Sequence, residues 1–328
     1  MRTPSISLST FGILAAGLIA PSLQAQTSSA TPVIGYYKQT AKGGVNTFVS
    51  GFVTKKEFQG QSTSVAAAGA NSTINQTGAA FGTFTNHYVE LLDDPSTGPV
   101  EAYAGVILDI LSNTGTAITV KGNITAYGQN LRYCVRKHAT LGSLLPTASG
   151  VAEYDGVSVI TTANPAAPEQ GYYFEGGHWK DANGVVSDNV VVYPSQGFVY
   201  SAGADVTLTL GGNEVSYVKE GQTVAPLYAS IPNLVGPVDP LVGPPPAGGP
   251  GVNTWAVNSL VPQLQDYDGV TLYPSDGSGV EAAYYVEGGQ LKDTNGAPAA
   301  VTSPVGSSVF LSVAGDGTVK FSPVTVAP

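Results

Sequence analysis

The chain has 328 residues, 13 of them basic and 23 acidic, for a formal net charge of −10. That balance excludes nucleic acid and anionic membrane surfaces as partners, since both need cationic protein surface to displace counterions. Charged residues are only 11% of the chain, against about 25% in ordinary domains, and 41 glycines with 23 prolines leave little room for long helices.

Residues 1–25 read as an export leader. Arg2 supplies the positive start, Phe11 to Ala20 is an apolar run too short to span a bilayer as a helix, and Leu23-Gln24-Ala25 ends on the small residue that a signal peptidase requires. Cleavage is expected before Gln26. The mature chain is then periplasmic, at the cell surface or extracellular. No later segment reaches membrane-spanning length, so no transmembrane insertion is expected.

Residues 26–146 read as an N-terminal β domain, an antiparallel sandwich or barrel-like region. Short runs of Val, Ile, Tyr, Phe and Thr bounded by Gly, Asn and Asp are strand grammar, as in Val45–Val53, Val106–Leu111 and Ala117–Lys121. Cys134 is the one cysteine, so no intramolecular disulfide forms. Its alternating surroundings suggest a small buried hydrophobe, with a nucleophile or an intermolecular bridge as the alternative. Arg136-Lys137-His138 is the one cationic cluster, read as a solvated loop or strand end, or as a contact for anions or sulfated glycans. His87, His138 and His178 lie far apart and in no metal-ligand spacing. Thr140–Leu145 is the best short helical turn, and Leu145-Pro146 closes the region.

Residues 147–235 and 252–328 write one motif twice. The first copy carries Tyr154-Asp155-Gly156-Val157, Tyr172-Tyr173, Glu175-Gly176-Gly177, Lys180-Asp181 and Asn183-Gly184. The second carries Tyr267-Asp268-Gly269-Val270, Tyr284-Tyr285, Glu287-Gly288-Gly289, Lys292-Asp293 and Asn295-Gly296. Thirteen identities in order point to a duplicated, hairpin-rich structural unit. The Gly-Gly and Asn-Gly pairs are tight turns needing positive φ. Between the copies, residues 236–251 form a Pro/Gly tract read as a linker or surface loop. Asn258–Val261 is a second candidate helical turn. The fold class is all-β throughout.

Candidate sites are few. No serine-nucleophile, Walker or Rossmann pattern is present. The carboxylate pairs Asp93-Asp94, Glu153 with Asp155, and Glu175 with Asp181 give no sign of a shared cleft, because adjacent strand residues face opposite ways. Asp181, Asn183, Asp293 and Asn295 sit in Asp-x-Asn-Gly fragments that offer hard oxygen ligands to Ca2+ but lack the distal glutamate of a full calcium loop. A plain Asn-Gly turn is the other reading of each, and no other cofactor is expected. Tyr173, Trp179 and Tyr285 are candidate sugar-stacking residues, with Tyr173 and Trp179 on the open face of the sheet. Cross-strand packing is their alternative role.

Several segments resemble an uncharacterised family of exported proteins of Verrucomicrobia-type bacteria. They are Val33-Ile34-Gly35-Tyr36-Tyr37 through Asn46-Thr47-Phe48-Val49-Ser50, Glu57-Phe58-Gln59-Gly60, His87-Tyr88-Val89-Glu90, Val135 through Leu144, and the Tyr-Asp-Gly and Tyr-Tyr…Gly-Gly…Trp units, each followed by a Pro…Gly turn such as Pro194-Ser195-Gln196-Gly197-Phe198. The resemblance implies an exported β-rich protein and carries no catalytic residue with it. Leu291 stands where the first copy has Trp179. The expectation is a non-catalytic structural or interaction component of the envelope or matrix, not an enzyme, with polysaccharide or other envelope proteins as partners. A carbohydrate-binding module is the alternative and a glycan-active hydrolase the distant one.

Overall fold

Alternating apolar and polar residues, cut every few positions by Gly, Asn or Asp, fold into antiparallel strands, and among the described residues helix is confined to segments of three to seven residues. The computed structural model describes residues 34–50, 54–94, 96, 101–160, 169–216, 223–237, 254–273, 282–304 and 308–321. The expected leader and most of the Pro/Gly tract lie outside the described residues. No helix among those described is long and apolar enough to cross a membrane. The protein is all-β and sandwich-like, as its turn chemistry implies.

The chain begins with β1 (Ile34–Ala41) and β2 (Asn46–Ser50). It then builds a seven-stranded sheet from β3 (Lys56–Gln61), β4 (Ser64–Ala68), β5 (Asn71–Asn75), β6 (His87–Leu91), β7 (Ile107–Asn113), β8 (Ala117–Val120) and β9 (Arg132–Lys137). Their order is β3-β9-β6-β7-β8-β5-β4. One face buries Val65, Ile74, Val89, Leu91, Ile118 and Val135.

Next come β10 (Ala139–Thr140), the helical turn α1 (Leu141–Leu144), β11 (Gly156–Ile160), β12 (Glu169–Glu175), β13 (His178–Asp181), β14 (Val191–Val192), β15 (Gly197–Ser201) and β16 (Val206–Ser216). Thr140 and Ser143 close a capping box at α1. The last group is β17 (Thr223–Leu227), β18 (Asn233–Val235), β19 (Thr254–Ala256), a 3-10 turn (Val257–Gln263), β20 (Gly269–Leu272), β21 (Ala282–Glu287), β22 (Gln290–Asp293), β23 (Thr302–Pro304), β24 (Val309–Ser312) and β25 (Gly317–Phe321).

The sheets do not follow the boundaries expected from the sequence. The first motif lies in a sheet ordered β13-β12-β11-β15-β2, whose last strand comes from the chain start. The second lies in a sheet ordered β22-β21-β20-β24-β18, whose last strand falls before the Pro/Gly tract. Three strand pairs match as well: β1–β16 with β17–β25, β10–β14 with β19–β23, and the hairpin β12–β13 with β21–β22. Registers agree residue for residue: Gly156 faces Tyr173 and Gly269 faces Tyr285, while Tyr172 faces Asp181 and Tyr284 faces Asp293. The seven-stranded sheet thus sits between β2 and β10, where the other group has only the residues between β18 and β19.

The two five-stranded sheets meet through matching positions. Phe48 and Leu234, Val199 and Phe310, and Ile160 and Tyr273 occupy equivalent register sites and form one small cluster. Tyr273 stacks on Phe48 at 4.4 Å between ring centroids, and Phe310 meets both edge-on. Gly197 and Ser308, also equivalents, touch: a Cβ on Gly197 would lie 2.5 Å from Ser308 Oγ and 2.5 Å from Leu234 Cγ.

Candidate functional site

Each two-glycine turn fixes which side chains share a face. Gly176 and Gly177 have φ of 62° and 83°, so Glu175 faces His178, Phe174 faces Trp179 and Tyr173 faces Lys180. Phe174 and Trp179 therefore point together into the core with Val157, Val159 and Tyr200. This corrects the expectation that Trp179 shares the open face with Tyr173. Its ring is 0% exposed, lies edge-on to Phe174 at 5.3 Å, and donates from Nε1 to Leu145 O at 3.0 Å. Leu291 takes the same buried place in the second sheet, facing Val286.

Tyr173 and Tyr285 do lie on the outer face, half-buried. Each hydroxyl reaches the next tight turn: a Cβ on Gly184 would sit 3.6 Å from the Tyr173 hydroxyl, and one on Gly296 would sit 3.5 Å from that of Tyr285. Beside them Lys180 pairs with Glu175 at 2.7 Å, and Lys292 pairs with Glu287. The hydrogen bond to each glutamate holds the lysine above its usual pKa. The Tyr267 and Tyr285 hydroxyls both lie within electrostatic reach of Lys292. The outer face is thus covered by the other sheet along β2–β15 and β18–β24, and left open along β12–β13 and β21–β22.

Sequence reasoning passed over two further side chains, Tyr154 and Tyr267, whose backbones join β12 at Phe174 and β21 at Val286, with Tyr267 within electrostatic reach of Lys292. They are 71% and 74% exposed. Each opens a β-bulge. The Tyr154 and Tyr267 amides donate to Phe174 O and Val286 O, and the Phe174 and Val286 amides donate back to Asp155 O and Asp268 O. The sequence signal was present, a tyrosine before Asp-Gly in both copies.

Asp181 and Asp293 act as turn caps. Asp181 Oδ1 accepts the amides of Asn183 and Val185, both at 2.9 Å, and Asp293 Oδ1 accepts those of Asn295 and Ala297 at the same distance. The backbone bond from Val185 is the chief cause holding the Asp181 carboxyl below its usual range. Among the described residues no three His, Cys, Asp or Glu side chains converge as a ligand set.

The remaining chemistry-bearing residues hold the fold. Asp155 is buried and accepts the amides of Ala152 (2.8 Å) and Gly203 (2.9 Å), plus the Tyr200 hydroxyl. Asp268 accepts those of Gln265 (2.8 Å) and Ala314 (2.9 Å). The cationic run is not a solvated cluster: Arg136 is 0% exposed, and its Nε donates to Glu90 at 2.6 Å on the other face of the seven-stranded sheet. Strand alternation puts Arg136 on the same side as Cys134, which is buried as expected, its thiol pKa pushed up by burial. The histidines stay apart, each on its own carboxylate: His87 on Glu57 (2.7 Å), His138 on Asp109 (3.3 Å) and His178 on Asp188 (2.6 Å). Glu153 accepts the Gly176 amide at 3.1 Å. No protein-family model, curated protein or solved structure matches the chain.

Proposed function

We propose that the chain is an exported, non-catalytic β-protein, a structural or interaction component of the cell envelope or extracellular matrix. The leader-like first 25 residues support export. What supports a non-catalytic role is the use made of the ionisable groups. Asp155, Asp268, Asp181 and Asp293 tie loops, the three histidines each sit on a separate carboxylate, and Arg136 is buried on Glu90. A catalytic site instead brings such groups together over a shared cleft. Cell fractionation with immunodetection tests this. The chain should appear in the envelope, matrix or medium, and the purified protein should turn over no substrate in a glycosidase and esterase panel. Recovery from the cytoplasm alone, or turnover, would overturn the reading.

A second reading, contact with polysaccharide, is favoured by one observation. The open half of each outer face carries a tyrosine, Tyr173 or Tyr285, beside a Lys–Glu pair. Such a mix of ring and hydrogen-bonding groups suits a hydroxylated ligand.

A further inference from the structure

Among the described residues five non-glycine positions have φ in the left-handed region. Three are the small polar residues Asn86, Asn130 and Ser195. The two bulky ones are Tyr154, at 66°, and Tyr267, at 73°, at the equivalent place in both copies. The first residue of a bulge with this backbone is by preference glycine, because a Cβ there crowds the following carbonyl. A ring that packed into the core would offset that strain, yet these two are the most exposed large hydrophobic residues among those described. The gain from having tyrosine at both sites therefore lies outside the folded chain.

We propose that Tyr154 and Tyr267 are twin stacking platforms for a neutral polysaccharide, each completed by the outer-face tyrosine and Lys–Glu pair of its own sheet. The inference rests on the polysaccharide reading above and supplies its principal residues. Three features commit it to that ligand. A single ring among polar groups is too small for the apolar centre of a protein interface, but it matches the C–H face of one sugar residue, with Glu175–Lys180 or Glu287–Lys292 to bond the hydroxyls. The ion pairs carry no net charge, and a chain at −10 repels acidic polymers. A patch written twice on one chain is matched by a ligand that itself repeats, so that weak contacts gain by avidity.

Affinity electrophoresis of the full chain in gels containing neutral polysaccharides, with thermal denaturation alongside, tests the proposal. The chain should be retarded by at least one polymer. Tyr154→Gly and Tyr267→Gly should each weaken retardation about tenfold, and Tyr154→Phe should keep it. Because glycine relieves the backbone, the double glycine variant should melt at the same temperature or about 1–4 °C higher. If the unaltered chain is retarded by no neutral polysaccharide, the polysaccharide reading itself fails. If it is retarded and the glycine variants are retarded equally, that reading stands on Tyr173 and Tyr285 and the twin platforms are refuted. A lower melting temperature in the double variant would make the rings packing residues and also refute the proposal.

Discussion

Asp155 and Asp268 show how a carboxylate can be buried without a cation. Each side chain gathers two backbone amides across its bulge, and Asp155 takes the Tyr200 hydroxyl as well. Charge-assisted bonds of this kind offset desolvation, whereas deletion leaves two part-buried amide donors without their acceptor. Asp155→Ala and Asp268→Ala should each cost about 2–4 kcal/mol in urea denaturation, with Asp155 the larger because the Tyr200 hydroxyl is also stranded. The motif's Tyr-Asp-Gly was legible in the sequence as part of a block written twice, but the role of its aspartate was not, because one of the two amides each carboxylate caps comes from a residue 48 or 46 positions away, Gly203 or Ala314. The face of Trp179 could have been read. A two-residue turn at Gly176-Gly177 already obliges Phe174 and Trp179 to point the same way.

At the scale of elements, the hairpins were legible and the partners of β2 and β18 were not. Gly-Gly and Asn-Gly are local chemistry, so β12–β13 and β21–β22 follow from a few residues. The pairing of β2 with β15 joins residues about 150 positions apart, as in Ser201 with Asn46, and no local signal announces it. The edge strand β4 is protected by a side chain that mimics a strand: Gln129 accepts the Val65 amide at 2.5 Å and donates to Val65 O at 3.1 Å. The two groups hold the segment after β10 and the segment after β19 by different means. Gly142 leaves room for Asp188, whose Oδ1 accepts the Trp179 amide at 2.8 Å. In the second group Asn258 itself bridges Ala299 O and the Val301 amide. The strand β7 is tied to the loop after β14 by Asp109, which takes His138 and the Tyr193 hydroxyl at 3.1 Å. The His138 hydrogen bond is the chief cause of its lowered pKa. A depressed carboxylate contributes stability above its unfolded value of about 3.9 and loses it as pH falls through the folded value. Melting temperature should therefore drop steeply below about pH 4, and Asp109→Asn should flatten that part of the profile. An unchanged profile would remove the tie from the account.

For the whole molecule, the decisive contact is the seam at which equivalent residues meet. Phe48 with Leu234, Val199 with Phe310 and Ile160 with Tyr273 make it self-complementary, the arrangement of a two-fold interface within one chain. Gly197 is its tightest point. Gly197→Val should cost about 2–3 kcal/mol by overpacking, and Ser308→Gly in the same chain should recover part of it, read by a double-mutant cycle in urea. Additive costs would show that the two positions do not press on each other. The seven-stranded sheet joins this body from outside the seam, touching the first group through Asp109 and Tyr193 and the second where Lys320 donates to Ala102 O at 3.0 Å.

The ends of that seven-stranded sheet come back together. Thr54 Oγ1 donates to Lys137 O at 2.5 Å, so the chain leaves and re-enters the first group through one narrow doorway. A host that closes around such a doorway is indifferent to the size of its guest, because the loop ends are already held at the right separation. In chain order the same position in the second group falls between β18 and β19, which makes it the natural place to graft a reporter or foreign antigen.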